Sequence, residues 1–304
     1  MDSPAVSIVV ATYNRSNVLE LAIASALAQT VTDWEMLVVG DACTDDSEQV
    51  ARSFGDPRIR WTNLPYNHGD QSGPNNHGVE LARGRYVAFL NQDDLWFADH
   101  LERSLAVLEA TPWAGGAFSP PAIVAPGGRA SIAPSWTDRY ESNRVIAPAS
   151  GWLLRRATVN RIGPWRCRHE CFEAPSRDWM TRALRQGESF AQVPYLTVLT
   201  IPSAARPGSY AERDDADQRR LWARMQDDAT FREELLAEIA LASSAELIRP
   251  RPVDHAKQAA KDAVVSAFGA RWYPLKSALK YRRKGGLVDD LRRIRGLPPH
   301  EHAP

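Results

Sequence analysis

Four short apolar runs alternating with helical signals restrict what the first 110 residues can fold into. "VSIVV" at residues 6–10 is β-branched and lacks polar alternation, which suits a strand covered on both faces. Asn17 with Glu20 three residues on matches a capping box, and Leu19, Ile23, Ala26 and Leu27 then share one helical face. "WEMLVV" repeats the strand signal at residues 34–39. Asp45 or Asp46 can cap a helix carrying Val50 and Phe54, and Gly55 can end it. "RIRWTNL" reads as a third, more alternating strand, residues 74–82 as a helix stopped by Gly84, and "RYVAFL" as a fourth strand. This order implies an α/β protein with a mixed, mainly parallel sheet, Rossmann-like, with helices on both faces.

Composition narrows the class. The 304 residues are 44% hydrophobic and 24% charged, and Lys+Arg equals Asp+Glu at 37 each, so no global field points to nucleic acid. No apolar run approaches the ~20 residues that span a bilayer, and a basic, apolar leader is not evident, which reads as cytoplasmic. Three cysteines, Cys43, Cys167 and Cys171, read as reduced thiols. "CRHEC" supplies too few soft ligands for a structural zinc site.

Ligands on parallel sheets bind beyond the carboxyl ends of the strands. Thr12 and Tyr13 follow the first strand, Asp41 the second, and Asp93 and Asp94 the fourth, so three strand ends converge on one crevice. Alone, Asp93–Asp94 reads equally as a capping pair for a helix marked by Leu101, Leu105 and Leu108. As a site, paired carboxylates offer hard oxygens to Mg²⁺ or Mn²⁺, with phosphate oxygens and water completing the octahedron. A nucleoside diphosphate is the matching ligand. Neither a Walker A sequence nor G-x-G-x-x-G occurs.

"VSIVVATYNR", "LVVGDACTDDS", "NNHGVELARGRYVAFLNQDD" and "GWLLRRATVNRIGPW" stand in the order of the motifs of family 2 glycosyltransferases of the GT-A fold, and residues 5–200 resemble that family. The resemblance implies an inverting, metal-dependent transferase of hexosyl type, acting on a nucleotide-diphosphate sugar, with a UDP-sugar as the expected donor. It implies that Thr12, Tyr13 and Arg15 lie at the nucleotide, that Asp41 reads the base edge, that Asp93 lies at the ribose, and that Asp94 binds Mn²⁺ or Mg²⁺. Tyr13 read without the family is a loop aromatic on the first helix. Asn91 and Gly40 stand where the family carries acids. In the turn-rich stretch "NHGDQSGPNNHG", Gln71, Asn75 and Asn76 join Asn91 as sugar and loop contacts; the plain alternative is a connecting loop. Asp178, preceded by Arg177 in place of another family acid, is the implied general base. It also suits a helix N-terminus before Trp179, Met180, Ala183 and Leu184, and Glu170 and Glu173 lie near it in sequence.

These readings divide the chain into a nucleotide-sugar subdomain (1–110), an acceptor-binding and catalytic subdomain (111–210) and a helical C-terminal extension (211–304). The Pro- and Gly-rich stretch after Trp113 reads as an antiparallel excursion and a loop over the site. The acceptor class is a saccharide or lipid-linked saccharide. Residues 271–295 gather Trp272, Tyr273, Lys276, Lys280 and the basic run 282–284, which suits peripheral contact with an anionic membrane, or else a helix packed on the catalytic domain or on a second copy in a homodimer. Because Gly40, Asn91 and Arg177 replace acids, a non-catalytic nucleotide- or sugar-binding module is the main alternative, with a sugar nucleotidyltransferase as another.

Overall fold

The computed structural model describes residues 3–132, 148–248, 263 and 272–298. Its main sheet is built outward from β1 (Val6–Thr12), flanked in parallel by β2 (Trp34–Gly40) and β4 (Tyr86–Asn91), with β3 (Ile59–Asn63) at one edge. Beyond β4 the sheet continues through β9 (Trp152–Arg155), β6 (Gly116–Phe118) and β10 (Phe190–Gln192), with β9 antiparallel to both its neighbours. The sheet therefore runs unbroken across the boundary expected at residue 110.

Alternate residues of the central strands face two apolar layers, as the unbroken apolar runs require. Ile8, Met36 and Ala88 pack with Leu19 and Ile23 of α1 (Ser16–Leu27), Ala51 of α2 (Ser47–Ser53) and Leu101 and Leu108 of α4 (His100–Ala110). Val9, Leu37, Val87 and Phe89 pack on the other side with Val79 of α3 (Ser72–Leu81), Val159 of α5 (Arg156–Ile162) and Trp179 of α6 (Pro175–Arg185). Gly78 lets α3 approach β1, since a Cβ there would lie 2.4 Å from Val9 Cγ1.

A second sheet, in the order β5 (Leu95–Trp96), β11 (Val198–Thr200), β7 (Ala122–Val124) and β8 (Ala130–Ile132), carries the antiparallel excursion. Leu221 of α8 (Ala216–Asp227) and Phe231, Leu235 and Ile239 of α9 (Phe231–Ile248) cover it. The expected loop over the site falls largely in residues 133–147, outside the described residues. After the short α7 (Ser209–Glu212), α8 and α9, the described residues include α10 (Trp272–Tyr281) and α11 (Gly286–Ile294).

The capping box expected at Asn17 and Glu20 does not form. Asp45 accepts the Ser16 backbone N–H at 3.1 Å, Asp46 accepts the Ser16 hydroxyl, and Asn17 Nδ2 instead donates to the Arg213 carbonyl at 2.6 Å. The acids that satisfy the start of α1 come from the loop after β2 rather than from the helix itself.

Candidate active site

Registration of the strands sets the site. Thr12 lies opposite Gly40 and Ala11 opposite Asn91, so the carboxyl ends of β1, β2 and β4 finish level with one another. Over them lies a cavity of ≈ 350 Å³, within the range of small-molecule sites. Thr12, Tyr13, Asp41, Gln71, Asn91, Asp93 and Asp94 all line it.

The segment from Asn91 to Leu95 explains why an apolar strand ends on two carboxylates: the chain leaves the main sheet after Asn91 and enters the second sheet at Leu95. The expected helix begins later, at His100. Asp94 is buried at the crossing, and its carboxylate is held by protein donors on both oxygens. Asn91 Nδ2 donates to Oδ2 at 2.8 Å, Ser150 Oγ donates to the same oxygen, and the Ile201 N–H donates to Oδ1 at 3.1 Å. Burial, reinforced by the neighbouring Asp93, pushes the Asp94 carboxyl up to about 7 against those donors. Asp93 is only partly buried and faces the cavity wall with no protein donor on its carboxylate among the described residues. Asn91, where the family has an acid, thus provides a donor to Asp94.

Gln92 ties the loops together. Its Oε1 accepts the Thr12 hydroxyl at 2.7 Å and the Tyr13 N–H at 2.9 Å, while its Nε2 donates to the Tyr210 hydroxyl at 2.8 Å. Asn14, at φ 46°, turns the chain after Tyr13 and accepts the Thr44 N–H at 2.8 Å. Tyr210 faces Tyr13 with ring centroids 6.3 Å apart. Arg15 is buried and lies 5.2 Å from the centroid of the Tyr210 ring, so it braces the aromatic rather than lining the cavity.

Asp41 is buried, and both its oxygens accept the His68 N–H, at 2.9 and 3.0 Å, with His68 Nδ1 at 2.9 Å from Oδ1. Burial raises its carboxyl pKa, and His68 opposes the rise. Gly40 has a steric reason to replace an acid: a Cβ there would lie 2.5 Å from Asn63 Oδ1 and 2.9 Å from the Trp61 ring. Asn63 in turn accepts the Cys43 N–H and donates to the Cys43 carbonyl, fixing the loop after β2.

Besides Arg15, three expected contacts sit elsewhere. Asn76 exchanges hydrogen bonds with the Trp165 backbone at 2.8 and 2.9 Å, and buried Asn75 does not line the cavity. Asp178 also lies apart from this cavity. The helix α6 presents Pro175 and Ser176 to the cavity, whereas Asp178 lines a separate pocket and accepts a 2.9 Å hydrogen bond from Arg182 Nε one turn on, with Arg166 at 3.8 Å. Helical geometry puts residues 176 and 178 on different sides of the axis. Glu173, its carboxyl pushed up to about 7 by burial, also lines that second pocket and pairs with Arg177 at 3.8 Å.

Sequence reasoning missed one wall of the cavity. Val288, Leu291 and Arg292 of α11, followed by Arg295 and Leu297, close the cavity from the C-terminal side. The helix is anchored by the Arg168–Asp289 ion pair and by the Gly285 N–H donating to the Cys171 carbonyl at 3.0 Å. Its far end accepts the Gly208 N–H (2.9 Å, Ile294 carbonyl) and the Tyr210 N–H (3.1 Å, Arg295 carbonyl), which places Tyr210 against Gln92. The basic, amphipathic composition of 286–297 was the available signal, and it equally described a surface helix.

Among the described residues, no three His, Cys, Asp or Glu side chains gather to hold an ion unaided. A cation shared with a diphosphate needs only one or two carboxylates, and Asp93, with its oxygens uncommitted at the cavity wall, fits that requirement.

Residues 7–144 match the family model described as Glycosyl transferase family 2. The "UDP-Glc:alpha-D-GlcNAc-diphosphoundecaprenol beta-1,3-glucosyltransferase WfgD" of Escherichia coli is 35% identical over 108 residues, which cover 36% of this chain and 42% of that protein. The "Putative teichuronic acid biosynthesis glycosyltransferase TuaG" of Bacillus subtilis (strain 168) is 38% identical over 104 residues, 34% of this chain and 41% of that protein. The chain thus spans less than half the length of these curated relatives. Among solved structures, S. aureus TarS 1-349 in complex with UDP-GlcNAc superposes with a TM-score of 0.57 at 16% identity, covering 96% of this chain and 90% of that one. The mannosyltransferase PcManGT from Pyrobaculum calidifontis in complex with GDP-Man and Mn2+ gives 0.51 at 16% identity, covering 97% and 88%. At that identity the superpositions speak to fold alone, a GT-A-type sheet, and the likeness to glycosyl transferase family 2 lies in residues 7–144.

Proposed function

We propose that the protein transfers a sugar from a nucleotide-diphosphate sugar to an acceptor hydroxyl by a single, inverting displacement. The observation that carries this reading is the cavity over the level ends of β1, β2 and β4, with the Thr12–Tyr13 loop held by Gln92 on one side and the uncommitted Asp93 on the other. Thr12, Tyr13 and Asp41 would receive base and ribose, and Gln71 with the loop before α3 the sugar. UDP is the favoured nucleotide, supported by the donor in WfgD's printed name and by the TarS complex. The same relative's name supports a lipid-linked saccharide acceptor. The exposed Leu275, Lys276, Leu279 and Lys280 of α10, with the exposed run 282–284, would then face an anionic membrane surface.

Asp93 would hold Mn²⁺ or Mg²⁺, with Asp94 keeping Asn91 and the strand crossing in place behind it. When bound, such a cation offsets negative charge on the leaving diphosphate. The chain's own contribution is to seat the nucleotide between Tyr13 and the 67–71 loop and to exclude water with α11. A displacement also needs a group to accept the acceptor's proton. On α6 the residue at the cavity is Ser176, not an acid, and this specific feature favours a second reading, a nucleotide-sugar-binding protein without turnover. Calorimetry with UDP and GDP, with and without Mn²⁺, followed by a transfer assay against saccharide acceptors, separates them. Binding with transfer supports the enzyme, binding without transfer supports the second reading, and no nucleotide binding overturns both.

A further inference from the structure

The cavity is lined by four carboxylates, Asp41, Asp70, Asp93 and Asp94, and by two cations, Arg292 and Arg295, the only ones among its described lining residues. Both arginines lie outside residues 7–144, on or just after α11. Arg292 is 6% exposed, and no carboxylate pairs with it among the described residues: Nη1 donates to the Gly69 carbonyl at 3.1 Å, Nη2 to the Pro298 carbonyl at 3.2 Å, and buried Nε has no partner. Arg295 also has a buried Nε without a partner and no ion pair among the described residues. The acids of α11 are engaged elsewhere, Asp289 with Arg168 and Arg283, Asp290 with Arg293.

Burying a guanidinium without a counter-charge is costly, and a buried N–H without an acceptor adds to the cost. One buried and one half-buried guanidinium lining a single cavity, each with a buried Nε that has no partner, call for an anion there. The planar guanidinium matches phosphate oxygens through paired donors. Burial, followed by the like charge of Arg168, lowers the pKa of Arg292, while Tyr13, Asp41 and Tyr210 oppose the fall.

We propose that Arg292 and Arg295 form an anion subsite of the donor cavity and take the diphosphate oxygens of the bound nucleotide, so that the C-terminal helix is part of the donor site. This rests on the nucleotide-sugar reading above. Through Gly69, the same Arg292 fixes the 67–71 loop, and through the Arg295 carbonyl the segment holds Tyr210. Loading the subsite therefore stabilises the C-terminal helix against both loops.

The test uses the full chain and the variants Arg292→Gln, Arg295→Gln and Arg295→Lys, with Arg293→Gln as a control on the exposed face of the same helix. Uridine, UDP, GDP and inorganic pyrophosphate are titrated calorimetrically without divalent metal and again with Mn²⁺, and thermal melts establish that each variant is folded. Loss of a charged hydrogen-bond donor should weaken UDP and pyrophosphate roughly tenfold or more in the Gln variants, leave uridine unchanged, and be partly restored by Lys. Because Arg292 also holds Gly69, Arg295→Gln decides the matter if Arg292→Gln melts early. Unchanged UDP and pyrophosphate affinity in folded Arg295→Gln overturns the subsite while the nucleotide reading stands. Wild-type binding of pyrophosphate but not of UDP or GDP, lost in the variants, supports the subsite and overturns the nucleotide reading. Binding of neither overturns both.

Discussion

Gln92 and Tyr210, 118 positions apart, share a 2.8 Å hydrogen bond that joins the strand-end motif to the C-terminal part of the chain. Gln92 Nε2 donates, the Tyr210 hydroxyl accepts, and the other end of the same amide holds Thr12 and the Tyr13 N–H. The rotamer of Gln92 is therefore fixed from both ends, and with it the loop expected to receive the nucleotide.

Tyr210→Phe removes the acceptor and leaves a buried amide N–H unsatisfied, which should lower stability by about 1–3 kcal/mol. UDP affinity should fall with it, because Gln92 is released from one of its anchors. Urea denaturation and calorimetry check both. Wild-type values in both measurements would show that the Thr12 and Tyr13 contacts hold the loop without Tyr210.

Asp93 and Asp94 should separate cleanly. Asp93→Asn should leave the melting temperature near wild type and abolish the gain in UDP affinity on adding Mn²⁺. Asp94→Asn should fold, since Asn91 can turn its amide to accept from the new NH₂ group. Asp94→Ala would strand three donors, Asn91 Nδ2, Ser150 Oγ and the Ile201 N–H, and should cost about 3 kcal/mol or more. Metal-dependent binding lost equally in Asp94→Asn and Asp93→Asn would return the cation to Asp94.

How much was legible depended on whether the signal was local. Unbroken β-branched runs could only be strands covered on both faces, and Gly55, at φ 63°, ends α2 as its position after Phe54 indicates. The two-residue β5 is too short to carry a period, so the passage from one sheet to the other at residues 91–95 looked like a capped helix start. The α1 cap was misplaced because its acids arrive from another loop, and Gly40 made sense only once Asn63 and Trp61 stood beside it. Arg292 reads as surface in any helical wheel of a basic segment, and only packing shows that it is buried. The Asp178–Arg182 partnership is an i,i+4 spacing that the sequence contains, but it shows as a bonded pair only in the folded helix.

That pair gives a direct test. With Asp178 bonded to Arg182 away from the cavity, Asp178→Asn keeps an amide oxygen to accept from Arg182 and should leave UDP binding and any transfer rate unchanged, whatever the mostly buried pair loses in stability. Melting curves, calorimetry and initial rates with an identified acceptor measure this. A loss of ~10²–10⁴ in rate with donor binding intact would make Asp178 the base and require α6 to turn it toward the cavity during turnover.

His100 supplies a pH dependence of known sign. The ring is fully buried, stacks on Trp96 at 4.4 Å, and its Nδ1 lies 2.8 Å from Thr197 Oγ1. Burial lowers its pKa from 6.5 to about 3, opposed only by Asp99. Between those values the unfolded chain binds a proton that the folded chain refuses, so the folded state loses stability as pH falls, by up to about 1.4 kcal/mol per pH unit. The raised Asp94 carboxyl acts oppositely between 3.8 and about 7, because there the folded state holds the extra proton. The two slopes partly cancel in wild type. His100→Phe keeps an aromatic face on Trp96 and leaves Thr197 its 2.5 Å contact with Ser119. It should remove the histidine's share, so that the variant, measured by urea denaturation from pH 6.5 to pH 4.5, gains stability relative to wild type as the pH falls. A difference between the two proteins that does not vary with pH would mean that His100 can take up its proton within the folded state.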